Sequence, residues 1–483
     1  MQENIHPRVY ADATSPYDSP MRHDYSPLEK TFDQVTVDDL TALQSVAEGW
    51  YIEYKQQLAK AGSIAKSVSA FANTYGGWLF YGIVEKSKDD PVAGTFPGID
   101  RAEADAALQS IRQGVANHVQ PSPFFRAKAL FGPSEALGLP EDRCIVMVQI
   151  PWGADAPFLH KEGRIYRRVG DGSEPKAEND RFVLDQLSTR ATKITDRYAE
   201  WTNRELELSE AEEEAPYLRI FLIADFWEDH PELRPASLRS VRDIMKNGGE
   251  AYSTTFETVH RTAGGIVCRQ TSNVDPSGLS LTWLLSNDLR SEIIVPLSKY
   301  RADDLDVLRA QFDGYDHIDR FIDICRKQRF TTPTVIDLNI LLLLLFALGR
   351  KQVALAEAFG WTGPVFAKVH LHGVWRTVPF FDAPHVLDEF EQHGIALTLR
   401  DEITLHRGKA PASYIELAAA KGNDIDAFAL GTALFLHIAA ALGISSKLGI
   451  EDDESQLTDG MLDLMEAGNR ALEAQKLRVA KKR

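Results

Sequence analysis

Cysteine is scarce in this sequence: Cys144, Cys268 and Cys325 are the only three in 483 residues. They are too few and too scattered for a disulfide framework, and no CxxC or CxxH pair offers a zinc knuckle. A reducing cytoplasm is the expected location. Long apolar runs are missing as well. The strongest, Leu338 to Leu348, is interrupted by Asn339 and ends at Gly349-Arg350-Lys351, well short of the ~20 residues needed to cross a bilayer. The first fourteen residues carry acids and no apolar core segment, so neither a signal peptide nor a membrane anchor is expected. GxxxxGK[ST], HExxH, GxSxG and GxGxxG are all absent, which leaves P-loop, zincin, esterase and dinucleotide readings without support.

Positive charge is also in deficit. Lys and Arg number 53 against 70 Asp and Glu, a net charge of −17, which argues against nonspecific coating of nucleic acid by bulk charge. The deficit is uneven: residues 1–40 carry −5, residues 41–200 carry −1 and residues 201–483 carry −11. An anion-binding surface is therefore to be sought in the near-neutral segment. With 44% hydrophobic and 25% charged residues the composition is globular, and roughly 100–200 residues per domain predicts two to four domains.

Residues 1–37 hold prolines among Asp, Ser and Tyr without periodicity, and read as an extended or disordered tail. Thr36-Val37-Asp38-Asp39 reads as a helix start with Thr36 as cap. Trp50 to Lys55 alternates as a half-buried strand, with Glu53 and Lys55 on its polar face. Ile64, Val68 and Phe71 recur at helical spacing, and Asn73 to Gly77 is a stop signal before a buried strand, Trp78 to Val84. Cys144 to Ile150 is an apolar strand, and Phe158 to Val169 reads as a hairpin. The acidic block Glu205 to Glu214 makes a linker. Beyond it, residues 210–298 read as a second α+β domain and 299–483 as a helical domain, so that the fold class is α+β, with the first domain at 38–197.

Four features of residues 48–172 coincide in order and spacing. They are Glu48 followed by Glu53-Tyr54-Lys55; Ala70-Phe71-Ala72-Asn73-Thr74-Tyr75-Gly76-Gly77; Tyr81-Gly82-Ile83; and Pro157 leading to Tyr166-Arg167-Arg168-Val169-Gly170. Together they resemble the AlbA-2 domain of the Schlafen family over about residues 38–195. The resemblance implies a nucleic-acid-binding domain. In some relatives it implies an endoribonuclease that cuts transfer and ribosomal RNA with three acids and a divalent metal. Carried onto this chain, two of those acids fall on Glu48 and Glu53, with Lys55 following as a catalytic candidate. The third follows the Gly-Val strand end, which here reads Gly82-Ile83-Val84-Glu85. Val84 stands at one position for it, and Glu85 is offset or serves as the substitute.

The implied metal, Mg2+ or Mn2+, is held by hard oxygen ligands, and two or three convergent carboxylates beside a basic surface suffice for assisted phosphodiester cleavage. Residues five apart in a strand point to opposite faces, so Glu48 meets Glu53 only if it lies in the turn before the strand, which Gly49 permits. The plainer reading makes Glu48 a solvated helix end and pairs Glu53 with Lys55. Asn73, Gly76 and Gly77 are either a helix stop or a close approach to phosphate. Arg164, Arg167 and Arg168 suit bidentate phosphate contacts, and Tyr166 either stacks on a base or packs. His370 and His372, two apart, fall on one face of a strand with no acid or Cys ligand near in sequence.

The expectation is a nucleic-acid-binding protein, with RNA ahead of DNA, in its sharper form a metal-dependent endoribonuclease with tRNA as a substrate. The alternative is a non-catalytic DNA-, RNA- or nucleotide-binding regulator whose acidic C-terminal part mediates protein interaction or homo-oligomerisation. A third reading, by fold analogy, has that acidic part block the nucleic-acid face until a signal such as phage infection releases it.

Overall fold

A parallel β-α-β turn of chain starts the first folded element. The strand β1 (Ile52–Lys55) leads into α1 (Ala61–Asn73) and returns as β2 (Gly77–Tyr81), with Ile52 opposite Trp78 and Lys55 opposite Tyr81. The computed structural model of the chain describes residues 25–169, 174–213, 215–227, 233, 235–248, 254–271, 275, 277–417, 424–444 and 459–482. The expected tail residues 1–24 and Gly170 lie outside them. Two compact units divide the chain: residues 20–201 with 227–232, and residues 202–226 with 233–483.

The N-terminal unit continues through β3 (Val84–Glu85), β4 (Ala93–Thr95), β5 (Ile99–Asp100), α2 (Ala104–His118), β6 (Val119–Gln120), β7 (Arg126–Phe131) and β8 (Arg143–Ile150). Then come β9 (Leu159–His160), β10 (Arg164–Arg167), β11 (Lys176–Ala177), α3 (Arg181–Ser188) and α4 (Arg190–Asn203), in whose last turn the unit ends. One sheet runs β1-β2-β8-β5 with β7 beside β8, and a second runs β11-β10-β9-β6. Alternation along the strands of the first sheet feeds two cores. Leu79, Tyr81, Val146 and Val148 meet Ile64, Val68 and Phe71 of α1 and Ile111 and Val115 of α2. Ile52, Tyr54, Trp78, Phe80, Ile145 and Met147 meet Leu28, Phe32, Val35, Leu40 and Leu43 on the other side.

Covering both faces overturns one expectation. On the expected polar face of β1 only Lys55 reaches solvent, and Glu53 is 1% exposed. The helix expected from Thr36 is a 3-10 turn at Asp38–Ser45, and Thr36 does not cap it: its N–H and hydroxyl both donate to Asp39 Oδ2 at 2.7 Å.

The C-terminal unit has α5 (Glu210–Glu213), β12 (Tyr217–Ile223), α6 (Leu238–Lys246), β13 (Thr258–Thr262), β14 (Gly265–Arg269), β15 (Thr282–Leu285) and β16 (Ser291–Pro296). It continues with β17 (Ser298–Arg301), α7 (Leu305–Gln311), α8 (Ile318–Lys327), β18 (Thr334–Asp337), α9 (Leu341–Ala358), β19 (Val365–His372) and β20 (Thr377–Phe380). Last are α10 (Pro384–His393), β21 (Ile403–Leu405), β22 (Ile415–Leu417), α11 (Asp424–Ala441) and α12 (Asp459–Lys482). An antiparallel sheet runs β13-β14-β15-β16-β12-β19-β21, with β22 also on β19.

The class is α+β, with the expected helices at the C-terminal end. The segments 210–298 and 299–483 share one sheet and one apolar core, because β12 of the first pairs with β19 of the second over seven positions from Tyr217 to Ile223. Strands β17 to β22 lie among the helices of 299–483, where a helical pattern was expected. Leu341–Ala358 is a buried helix, and no described helix is long and apolar enough to cross a membrane.

Candidate nucleic-acid interface

The stop after α1 is built by packing. Gly76, at φ +73°, donates its N–H to Phe71 O at 2.9 Å. A Cβ there would stand 2.7 Å from Ile150 O, and one on Gly77 would stand 2.5 Å from Tyr51 O. Both contacts are with backbone, so only glycine fits. The side chain of Asn73 is 1% exposed and fully used: its amide donates to Phe158 O and Tyr166 O at 3.0 Å, and its Oδ1 accepts from Phe158 N at 2.8 Å. Of the two readings given for these three residues, the helix stop is the one the packing matches: they join α1 to the hairpin and to β8.

Arg168 is the centre of that junction. It is 0% exposed, with Nη1 3.0 Å from Glu53 Oε2 and Nη2 donating to the carbonyls of Gly49 and Ile52. Its own N–H donates to Thr74 Oγ1 at 2.9 Å, and its guanidinium lies over the Phe71 ring. Burial lowers its pKa against the opposing pull of Glu53 and Glu48. The other carboxylate oxygen of Glu53 accepts from Ser67 Oγ at 3.1 Å and lies 3.1 Å from Lys55 Nζ. Arg168 is therefore corrected from a phosphate contact to the internal partner of Glu53, because a fully covered guanidinium has no surface left to offer.

Glu48 lies in the turn before β1, as its meeting with Glu53 requires. Its Oε1 accepts the N–H of Tyr54, and its carboxyl is pushed up chiefly by burial, with like charge from Glu85 and Glu53 adding and Lys55 opposing. Glu48 thus senses both other acids. A resident divalent ion nevertheless does not fit this arrangement, since Glu53 has both oxygens occupied by a guanidinium, an ammonium and a hydroxyl. Among the described residues no group of three or more His, Cys, Asp or Glu could hold a metal.

The hairpin has the expected strands, with Arg164 opposite His160 in β9 and Arg167 opposite Lys176 in β11. Its cations divide. Arg167 is bound to Glu178 Oε2 at 2.6 Å, whereas Arg164, Lys176 and the turn residue Lys161 are exposed. Tyr166 packs: it is 5% exposed, edge-on to His160, with its hydroxyl donating to Glu162 and Lys66 Nζ over its ring. Of the two readings open for Tyr166, stacking on a base or packing, the structure shows packing.

Sequence reasoning missed Ser67, Thr74 and Arg190. Arg190 donates to the carbonyls of Ala72, Asn73 and Gly153, closing the C-terminal end of α1, and burial lowers its pKa to about 10. Only an α-helix end lacking its own cation signalled it.

The family comparison bears on this unit. Residues 48–177 match the family model "Schlafen, AlbA_2". A search of curated proteins finds no match. Among solved structures, the DIP2311 protein from Corynebacterium diphtheriae aligns at 21% identity over 31% of this chain and 27% of that one, with a TM-score of 0.20. The matched segment begins at Glu48 and closes on β11, so it contains the whole Glu53–Arg168 junction. Residues 48–177 thus match the Schlafen AlbA_2 domain, and the match supports a nucleic-acid-related function for this segment.

Proposed function

We propose that the N-terminal unit binds nucleic acid, RNA in preference to DNA, through the exposed cations Lys161, Arg164 and Lys176 of β9 to β11 and their turn, Lys176 on the Arg167 face of the sheet and Arg164 on the other. The observation that carries this reading is the division of the hairpin cations. Arg167 and Arg168 are consumed inside the protein, and Arg164, Lys161 and Lys176 are left exposed on neighbouring strands and their turn. Clustered exposed cations bind phosphates and release counterions, so the affinity falls with salt. The preference for RNA rests on the family resemblance. The acidic remainder serves protein contacts or self-association in this reading.

The test is binding of labelled RNA and DNA by the full chain across a salt series, beside Arg164→Glu/Lys176→Glu. The variant should bind at least ~10-fold more weakly, with a salt slope reduced by about one to two phosphate contacts. Salt-independent binding, or equal binding by the variant, overturns the proposal.

Cleavage is a second reading, favoured by the like charge that Glu85 and Glu53 each place on Glu48. It requires Glu53 to exchange Arg168 for another cation. A discrete cut in a transfer-RNA pool with Mn2+ or Mg2+, lost in EDTA and in Glu48→Gln/Glu53→Gln, would support it. No cut with binding retained leaves a binding module.

A further inference from the structure

The two histidines of β19 lie beside a feature that the nucleic-acid reading does not use. In β19, Val365, Ala367, Val369 and Leu371 enter the apolar core, so Lys368, His370 and His372 share the opposite face. Across the ladder Lys368 stands opposite Phe221 and His370 opposite Arg219, while Glu292 of β16 stands on the far side of Phe221. This face is polar and buried.

Lys368 is 2% exposed. Its Nζ donates to Thr202 Oγ1 at 3.2 Å and lies 5.6 Å from the centre of the Tyr414 ring. No carboxylate of the described residues pairs with it. Glu292, on the same face, is already shared: Oε1 accepts from Arg219 Nε and Nη2 at 3.0 and 2.7 Å, and Oε2 lies 3.2 Å from Arg204. His370 is 6% exposed, with Nδ1 3.3 Å from Thr404 Oγ1 and its Nε2 buried without a hydrogen-bond partner. An ammonium held in low dielectric by one neutral hydroxyl is costly. It loses its proton or acquires an anion. Lys368 and Arg219 both act on His370 as repelling positive charge, which disfavours a metal cation at the imidazole.

We propose that this face of the C-terminal unit is an oxyanion site, at which a phosphate or carboxylate group of a small ligand accepts hydrogen bonds from Lys368 Nζ and His370 Nε2. The proposal rests on residues of the C-terminal unit alone and does not depend on the nucleic-acid reading.

The test titrates the full chain with inorganic phosphate, methyl phosphate and acetate at constant ionic strength, by calorimetry and by 31P line broadening. Wild type should bind at least one of these anions saturably; the three arms separate free phosphate, an esterified phosphate and a carboxylate. Lys368→Met should weaken that binding at least ~10-fold and Lys368→Arg should retain it, which separates lost charge from lost folding. The proposal is overturned if wild type binds none of the three saturably. It is equally overturned if Lys368→Met, folded by circular dichroism, binds as wild type does. That result would reduce the lysine to a buried neutral amine.

Discussion

Each unit buries charge beside a sheet, and the two clusters are balanced differently. In the N-terminal unit the buried carboxylate Glu53 is shared by Arg168 and Lys55, so that each cation has a carboxylate, and Arg168 Nη2 also donates to the carbonyls of Gly49 and Ile52. In the C-terminal unit one carboxylate, Glu292, is divided between Arg219 and Arg204, and Lys368 beside them is left with a hydroxyl. The first cluster is closed and holds strands together. The second is short of negative charge and is open to a ligand that supplies it. Burial alone does not distinguish a brace from a site; the count of counter-charges does.

The sharpest way to break this contrast is Arg168→Met. It strands Glu53 in the core and should cost about 3–5 kcal/mol, read as a lowered denaturant midpoint of the N-terminal unit. Adding Glu53→Leu should recover most of that loss. A smaller effect is expected from Asn73→Ala, which leaves the buried groups of Phe158 and Tyr166 without partners at about 1–3 kcal/mol, measured in the same way. Lys368→Met should run the other way, neutral or stabilising by about 1 kcal/mol without added anion, because it removes an unpaired buried charge. Calorimetric unfolding in anion-free buffer checks this.

The smallest effect concerns pH. Burial raises the Glu48 carboxyl above its ordinary range, so the folded chain holds that proton more tightly than the unfolded one. The resulting stabilisation is complete below the unfolded value and is lost as pH rises through the raised folded value. Glu48→Gln, which still accepts from Tyr54, should therefore gain on wild type as pH rises above the ordinary carboxylate range. A difference that stays constant with pH would contradict the raised pKa.

Much of the N-terminal unit was legible in the sequence. The period of Ile64, Val68 and Phe71, the Gly76-Gly77 stop and the hairpin at Phe158 to Val169 are local signals, and the elements follow them. The environment of Glu53 was not legible, because alternation in β1 cannot report that α1 covers the side on which Glu53 lies. Arg167 and Arg168 look alike as neighbours in sequence, yet Arg167 binds Glu178 and Arg168 binds Glu53, 115 positions away. In the C-terminal unit the strands β20 to β22 were hidden by their short length, where helix and strand patterns converge. His370 and His372 were correctly placed on one strand face, but their neighbours Arg219 and Lys368 come together only through pairing.

The segment from Tyr25 to Val37 carries a consequence for the order in which the molecule is made. Phe32 lies 6.2 Å from Trp78, Arg126 reaches Asp33 at 2.6 Å, and Lys128 reaches the carbonyls of Asp33 and Val35. The first described residues to leave the ribosome thus wait for Trp78 of β2 before they have an aromatic surface to cover, and for β7, 93 positions after Val35, before Lys128 ties them down. Until then Trp78, Phe80 and Tyr54 present a bare aromatic surface. A shortened chain that starts at Asp38 would keep that surface permanently, and it would be a sticky protein rather than a smaller version of this one.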